Sequence, residues 1–295
     1  MSSMDLSELR KAIGEIDQAL LELLSPDDDV ADLEAYIRRG GAGRATTEVA
    51  LVTVAGTIYP GESRRDNLAG EIVGSDPVID QLTDAREDDD IDAVVLRVDS
   101  PGGSALASDL IWREVARVRE QKPVVVSMGG YAASGGYYVA CGADSIFAGA
   151  GTLTGSIGVF AGKMDWSGLY EKIGTHREYV TRGENALLWS DSGPFTPAQR
   201  ALFQEQLDRF YERFLAKVGE GRGMDRDAVH AVAQGRVWTG AQAVEVGLVD
   251  GTGGLDRALL AVKRLLGVDP AERVLVRTHR ESLSWLERTM LDALR

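Results

Sequence analysis

Cysteine is nearly missing from this chain of 295 residues: Cys141 stands alone, so no intrachain disulfide can form, and no Cys/His cluster with metal-ligand spacing accompanies it. Long apolar runs are missing too. Nowhere do about eighteen apolar residues follow one another, and the N-terminus "MSSMDLSELRKAIGEID" is too charged for the core of a signal peptide, so the chain as it stands is expected to be soluble. Basic residues are in deficit, with 32 Lys and Arg against 46 Asp and Glu and a net charge of -14. Such a surface repels a phosphate backbone and anionic headgroups alike, which excludes nucleic acid as a partner and leaves any membrane contact indirect. Histidine is scarce: His176, His230 and His279 lie in no motif that pairs them with a nucleophile, and surface or core roles suit them. No cofactor motif is present. What the chain has in quantity is apolar residues, 44% of the total, enough for one large core or two modest ones.

Those residues are distributed unevenly. "LSELRKAIGEIDQALLELL" sets Leu6, Leu9, Ile13, Ile16, Leu20 and Leu23 at helical spacing; "SPDDDVADLEAYIRR" reads as a stop, an acidic cap and a second helix, and "RGGAGR" as a linker. From about Glu48 the texture changes. "VALVTVAG", "AVVLRVDS" and "PVVVSMGG" are continuous enough to be strands buried on both faces, and between them "DPVIDQLTDAREDD" and "ASDLIWREVARVREQ" have helical periodicity with charged outer faces. The alternation predicts an α/β domain on a mostly parallel sheet. Beyond residue 195 the pattern is mainly helical: one long amphipathic helix over "TPAQRALFQEQLDRFYERFLAKVGEGRG", capped by threonine and stopped by glycine, then shorter helices near 225–233, 240–246 and 254–267. "RVLVRT" predicts a late strand.

Open α/β folds bind ligands where strands end. Two such edges stand out. At "RVDSPGGS" a strand runs into Ser-Pro-Gly-Gly, which is either a plain turn or a nest of outward N–H groups for an anionic oxygen. At "GGYAASGGYY" Ser134 sits where a helix begins, either as a helix cap or as an exposed nucleophile. A cap has no use for Gly135 and Gly136 in the first turn, where they weaken the helix. They are expected instead to clear space for a substrate backbone, with the Gly135 N–H open. Tyr131, Tyr137 and Tyr138 either line such a groove or pack into the core.

"VLRVDSPGGSALASDLIWRE", "KPVVVSMGGYAASGGYYVA", "TLTGSIGVF" and "QGRVWTGAQAVEVGLVDGTGGLDRAL" together resemble the signal peptide peptidase A, or protease IV, family of serine peptidases over roughly residues 48–268. The resemblance implies the α/β superhelix of ββα units shared by caseinolytic protease subunits and crotonases, with a helical C-terminal part and assembly into rings. Taken with the residue pattern, it divides the chain into a helical segment and linker at 1–45, a peptidase domain at 46–270, and a strand and helix extension at 271–295. Ser134 matches the nucleophile, Gly103 an oxyanion donor, and Gly135 supplies the amide after the nucleophile. The substrates implied are signal peptides and other unfolded peptides, handled by a bacterial protein at or near a membrane, with no cofactor and no metal.

The chain departs from the pattern at the base. Family members use a lysine whose position here is Ala186; Arg182 cannot replace it because guanidinium stays protonated. Lys163 follows "GSIGVFAG" and Lys172 lies on a helical pattern with a solvated face; neither stands at the family position. The chain is most similar to the second, serine-bearing copy of tandem members, in which the lysine comes from the first copy. A lysine supplied by another chain or domain is therefore expected. The alternatives are a catalytically silent subunit that scaffolds an active partner, and a crotonase-type acyl-CoA enzyme that uses the same oxyanion hole without Ser134.

Overall fold

The computed structural model describes residues 47–66, 70–270 and 272–278. In chain order the elements are β1 (Thr47–Ala55), β2 (Thr57–Tyr59), β3 (Arg64–Asp66), β4 (Gly70–Gly74), α1 (Ser75–Glu87), β5 (Ala93–Ser100), α2 (Ala105–Arg119) and β6 (Val124–Ala133). There follow α3 (Gly135–Ala140), β7 (Ser145–Ala148), β8 (Leu153–Gly155), α4 (Ser167–Lys172), α5 (Pro197–Arg222) and α6 (Arg226–Val232). The last are β9 (Val237–Thr239), α7 (Gly240–Glu245), β10 (Gly251–Thr252), α8 (Leu255–Leu266) and β11 (Val274–Thr278). The two helices expected before residue 45, and the extension beyond 278, lie outside the described residues.

The three apolar runs form the middle of one sheet, ordered β10, β7, β6, β5, β1, β11, with every neighbouring pair along that path parallel. This is the α/β fold with a parallel-dominated sheet that the alternating pattern predicts. The pleat sends successive residues to opposite faces. Ala50, Val52, Val94, Leu96, Val124 and Val126 enter one core with α1, α2 and α3, while Val49, Leu51, Ala93, Val95 and Val125 enter a second beneath Ala258, Leu259 and Val262 of α8. Burial on both faces is why these runs read as continuous rather than alternating.

A small second sheet, β2, β4, β3, was not legible in the sequence, because its strands are only three to five residues long. β6 runs beyond the "PVVVSMGG" that reads as strand: it continues to Ala133 and there exchanges β7 for β8 as its outer neighbour. From Val98 to Ser100 on β5 is two steps, but from their partners Met128 to Ala132 on β6 is four. The extra residues form a bulge that closes over Asp99, whose Oδ1 accepts the Tyr131 N–H at 3.3 Å. A Cβ on Gly129 would stand 2.7 Å from the Asp99 carboxyl carbon, which explains one glycine of the opening pair. Thr152 and Thr154 donate their hydroxyls to the Gly129 and Ala132 carbonyls at 2.7 and 2.8 Å, pinning this strand end in place.

Candidate active site

Immediately after β6, Ser134 turns the chain into α3 with φ 52° and ψ -118°. A non-glycine residue held at positive φ stores about 1–3 kcal/mol of strain and persists only where its surroundings impose it. Here the Ser134 N–H donates to the Gly155 carbonyl at 2.9 Å and its own carbonyl accepts the Tyr138 N–H at 2.8 Å. The side chain caps nothing. The helix-cap alternative for Ser134 therefore falls, and the half-buried residue borders a cavity of about 690 Å³.

Against this elbow lies the Ser-Pro-Gly-Gly bend. Ser100 braces it, donating its hydroxyl to the Gly56 carbonyl at 2.6 Å and accepting the Gly102 N–H at 3.1 Å. Ile58 of β2 holds the far side, donating to the Gly102 carbonyl at 2.9 Å and accepting the Ser104 N–H at 2.8 Å. In this parallel bridge Gly103 is the middle residue, so its own N–H faces away from Ile58. It faces the elbow: the Gly103 nitrogen is 3.1 Å from the point where a Gly135 Cβ would be. The structure thus brings Ser134, Gly103 and Gly135, taken from two strand edges, into one place.

One expectation needs correction. Gly135 and Gly136 do not clear space for a substrate. A Cβ on Gly135 would meet the Ser108 hydroxyl at 2.5 Å, and one on Gly136 the Ser100 carbonyl at 2.5 Å. The glycines are there because α3 packs hard against α2 and the end of β5, and that packing carries the Gly135 amide to the bend. The tyrosines also divide. Tyr137 is fully buried and donates its hydroxyl to the Leu248 carbonyl at 2.8 Å, and Tyr131 is exposed away from the cavity; Tyr138 alone of the three borders it.

Opposite Ser134 the cavity is walled by α5, which presents Leu207, Phe210, Tyr211 and Phe214. The sequence shows why α5 can span it. A capping box of Thr196 and Gln199 starts the helix, Gly223 in the left-handed region ends it, Phe203 anchors one end on Trp189 and Phe195, and Phe214 anchors the other on Tyr138. A residue that sequence reasoning missed also faces the cavity: Ser156, at φ 48° just after β8. Its one signal was its place within "TLTGSIGVF".

No lysine borders the cavity among the described residues. Lys122 donates to the Ala85 and Asp88 carbonyls, Lys163 lies over the Phe195 ring at 4.6 Å, Lys217 over the Trp112 ring at 3.5 Å, and Lys263 donates to the Pro270 carbonyl. Lys172 is exposed on α4, and so is Ala186 on the excursion between β8 and α5. His176 is exposed, while His230 is hydrogen-bonded to the Tyr211 hydroxyl at 2.8 Å behind the cavity wall. Lys11 and His279 fall outside the described residues. Burial pushes the Cys141 thiol up to about 12, so it is no competing nucleophile.

Fold and site together define a protein class: an α/β protein with a serine on a sharp strand-to-helix elbow beside free backbone amides, the arrangement of serine hydrolases. Comparison with known sequences supplies the family. Residues 116–269 match the description Peptidase family S49, and the chain belongs to that family. It is 40% identical over 217 residues to "Serine protease SPPA, chloroplastic" of Arabidopsis thaliana, covering 73% of this chain and 32% of that one. To "Protease 4" of Haemophilus influenzae it is 39% identical over 220 residues, covering 74% and 35%. "Protease 4" of Salmonella typhi is likewise 39% identical, over 218 residues, with coverage of 74% and 34%. The chain therefore spans about a third of the length of these relatives. Among solved structures, a point mutant of ClpP1 from Listeria monocytogenes aligns over 69% of this chain and 91% of that one, at 16% identity and a TM-score of 0.46.

Proposed function

We propose that this chain is the nucleophile-bearing part of a serine endopeptidase that cleaves extended peptides such as spent signal sequences. The observation that carries the proposal is the strained Ser134 elbow packed against the glycine bend, with the Gly103 and Gly135 nitrogens brought close beside it. In the assigned reaction the Ser134 hydroxyl oxygen bonds to the scissile carbonyl carbon and its proton passes to a base. The carbonyl oxygen, now anionic, is held by the two amides. Collapse breaks the C–N bond, the amine leaves with the proton from the base, and water then hydrolyses the acyl-serine by the same steps.

The base is a lysine from another polypeptide or domain. No described lysine borders the cavity, and the position that the resemblance assigns to the base holds alanine. Such a lysine must shed its charge to accept a proton, which burial against an apolar mouth favours. The excursion between β8 and α5 offers that mouth: Phe160 is 96% exposed and borders the cavity, and Met164, Ile173 and Val180 of the same excursion are exposed as well. We assign to this apolar rim the contact with a further subunit, in keeping with ring assembly.

The missing lysine equally favours a second reading, a silent subunit that scaffolds an active partner. Labelling with a fluorophosphonate probe separates the two. The peptidase reading expects stoichiometric labelling of the assembled protein, abolished in Ser134→Ala. No labelling, with or without a lysine-bearing family member added, leaves the scaffold.

A further inference from the structure

Among the described residues other than glycine, positive φ is held by Ser134 at 52°, Ser156 at 48° and Gln234 at 61°, and all three border the same cavity. The reaction gives no part to Gln234. It sits just past α6 on a four-residue turn, closed by the Arg236 N–H on the Ala233 carbonyl at 3.2 Å, in which Gly235 also has positive φ, 73°. Turns with both central residues in that region take glycine, asparagine or aspartate, because a Cβ there crowds the following carbonyl oxygen and only a short polar side chain compensates. Glutamine is a strained choice for the turn, and strain beside a site points to a use for the side chain.

Both the turn and the amide are held in place. The Gly235 N–H donates to the Ile157 carbonyl at 2.9 Å, the Ser156 N–H to the Arg236 carbonyl at 2.7 Å, and the Ser134 N–H to the Gly155 carbonyl at 2.9 Å, so backbone bonds link the turn to the elbow. A Cβ on Gly158 would stand 3.1 Å from the Gly235 Cα, so the turn packs directly on that edge. The Gln234 amide nitrogen lies 3.3 Å from both the His230 carbonyl oxygen and His230 Nε2. A carbonyl only accepts, so the NH2 group belongs on that side; His230 Nε2 then accepts as well, and its Nδ1 carries the hydrogen donated to the Tyr211 hydroxyl at 2.8 Å. Gln234 Oε1 is left without a partner among the described residues, on an exposed side chain at the edge of the cavity.

We infer that Gln234 is a substrate-binding residue: its Oε1 accepts a main-chain N–H of an extended peptide, and His230 is the positioning residue that holds the amide so that this oxygen is offered. The inference rests on the peptidase reading of Ser134 and adds to it a contact with the peptide backbone, which is blind to side chains.

The turn and the substrate make opposite demands on position 234. Gln234→Gly and Gln234→Asn suit the turn and remove or shorten the acceptor, so urea midpoints should rise while peptide binding weakens. Binding is measured in the Ser134→Ala background, by fluorescence polarisation of an extended alanine–leucine peptide and of the same peptide N-methylated at each position in turn. At one position methylation is expected to weaken binding roughly tenfold in the parental sequence and to have no further effect in Gln234→Gly. Gln234→Glu keeps an acceptor and should keep the methylation effect. An identical methylation pattern in the parental sequence and in Gln234→Gly overturns the assignment of Gln234 and leaves the peptidase reading standing. So does a lower urea midpoint in both Gln234→Gly and Gln234→Asn, which would mean that the side chain serves the fold. Failure of every peptide to bind the parental sequence overturns both.

Discussion

A Cβ built on Gly102 would stand 2.4 Å from the amide nitrogen of Gly135. The bend after β5 and the elbow after β6 are therefore in backbone contact, and neither can move without the other. Three separate devices maintain that contact: the Ser100 hydroxyl inside the bend, Ile58 behind it, and the positive φ of Ser134 in front.

Gly102→Ala is expected to break the site and weaken the fold. Gly102 has φ 95°, so alanine there is strained before any overlap with Gly135 is counted. Unfolding in urea should reveal a loss of about 2 kcal/mol or more, and probe labelling of Ser134 should fall in parallel. A variant that labels normally would mean the bend does not position the nucleophile.

The end of α5 depends on Arg222, which forms a bidentate pair with Asp250 at 2.7 and 3.0 Å and has a side chain only 8% exposed. Asp250 also accepts the Ile146 N–H at 2.7 Å. Asp250→Ala strands a buried guanidinium and an amide together, for an expected loss of about 2–3 kcal/mol. Thermal unfolding tests it; Asp250→Asn should recover only part, since the charge is still unmatched.

Alkaline solution should destabilise the protein through Cys141. Burial lifts this thiol from an ordinary value of 9.0 to about 12, so the native state favours the protonated form. A group with a raised native pKa contributes its full stability below the unfolded value and loses it as pH climbs toward the native one. Denaturant midpoints should accordingly drop between about pH 9 and 12, less steeply in Cys141→Ala. At pH 8 a thiol reagent should modify the unfolded chain and spare the native one.

If the base must come from outside the site, restoring it should be possible. Ala186→Lys puts an amine where the resemblance expects the family lysine, and a self-assembling chain should then gain amide hydrolysis on the order of a hundredfold. The pH profile should rise on the alkaline side. No gain in a confirmed oligomer would place the donor elsewhere, and adding a lysine-bearing relative is the complementary assay.

The legible parts of this protein were those that local chemistry dictates. The β-branched runs at 49–56 and 93–100 are too apolar for any surface, and Thr196 and Gly223 bound α5 by capping alone. Ser134 and the Ser-Pro-Gly-Gly bend could be singled out because small residues crowd two strand ends. The reason for that crowding was misjudged. The contacts that forbid a Cβ on Gly135 and Gly136 come from Ser108 and Ser100, on other elements. Ser156 carried no signal beyond its place within "TLTGSIGVF", because what brings it to the cavity is the pairing of β8 with β6 and β9.

Sequence by itself determined the α/β alternation, the order of the motifs and the absence of a lysine at position 186, since periodicity, capping and residue identity are properties of neighbours along the chain. Tertiary structure decided which backbone amides come beside the serine, what stands behind each glycine and which helix walls the cavity. Those relations join residues dozens of positions apart, and only the register of the sheet and the packing of α2, α3 and α5 bring them within bonding distance.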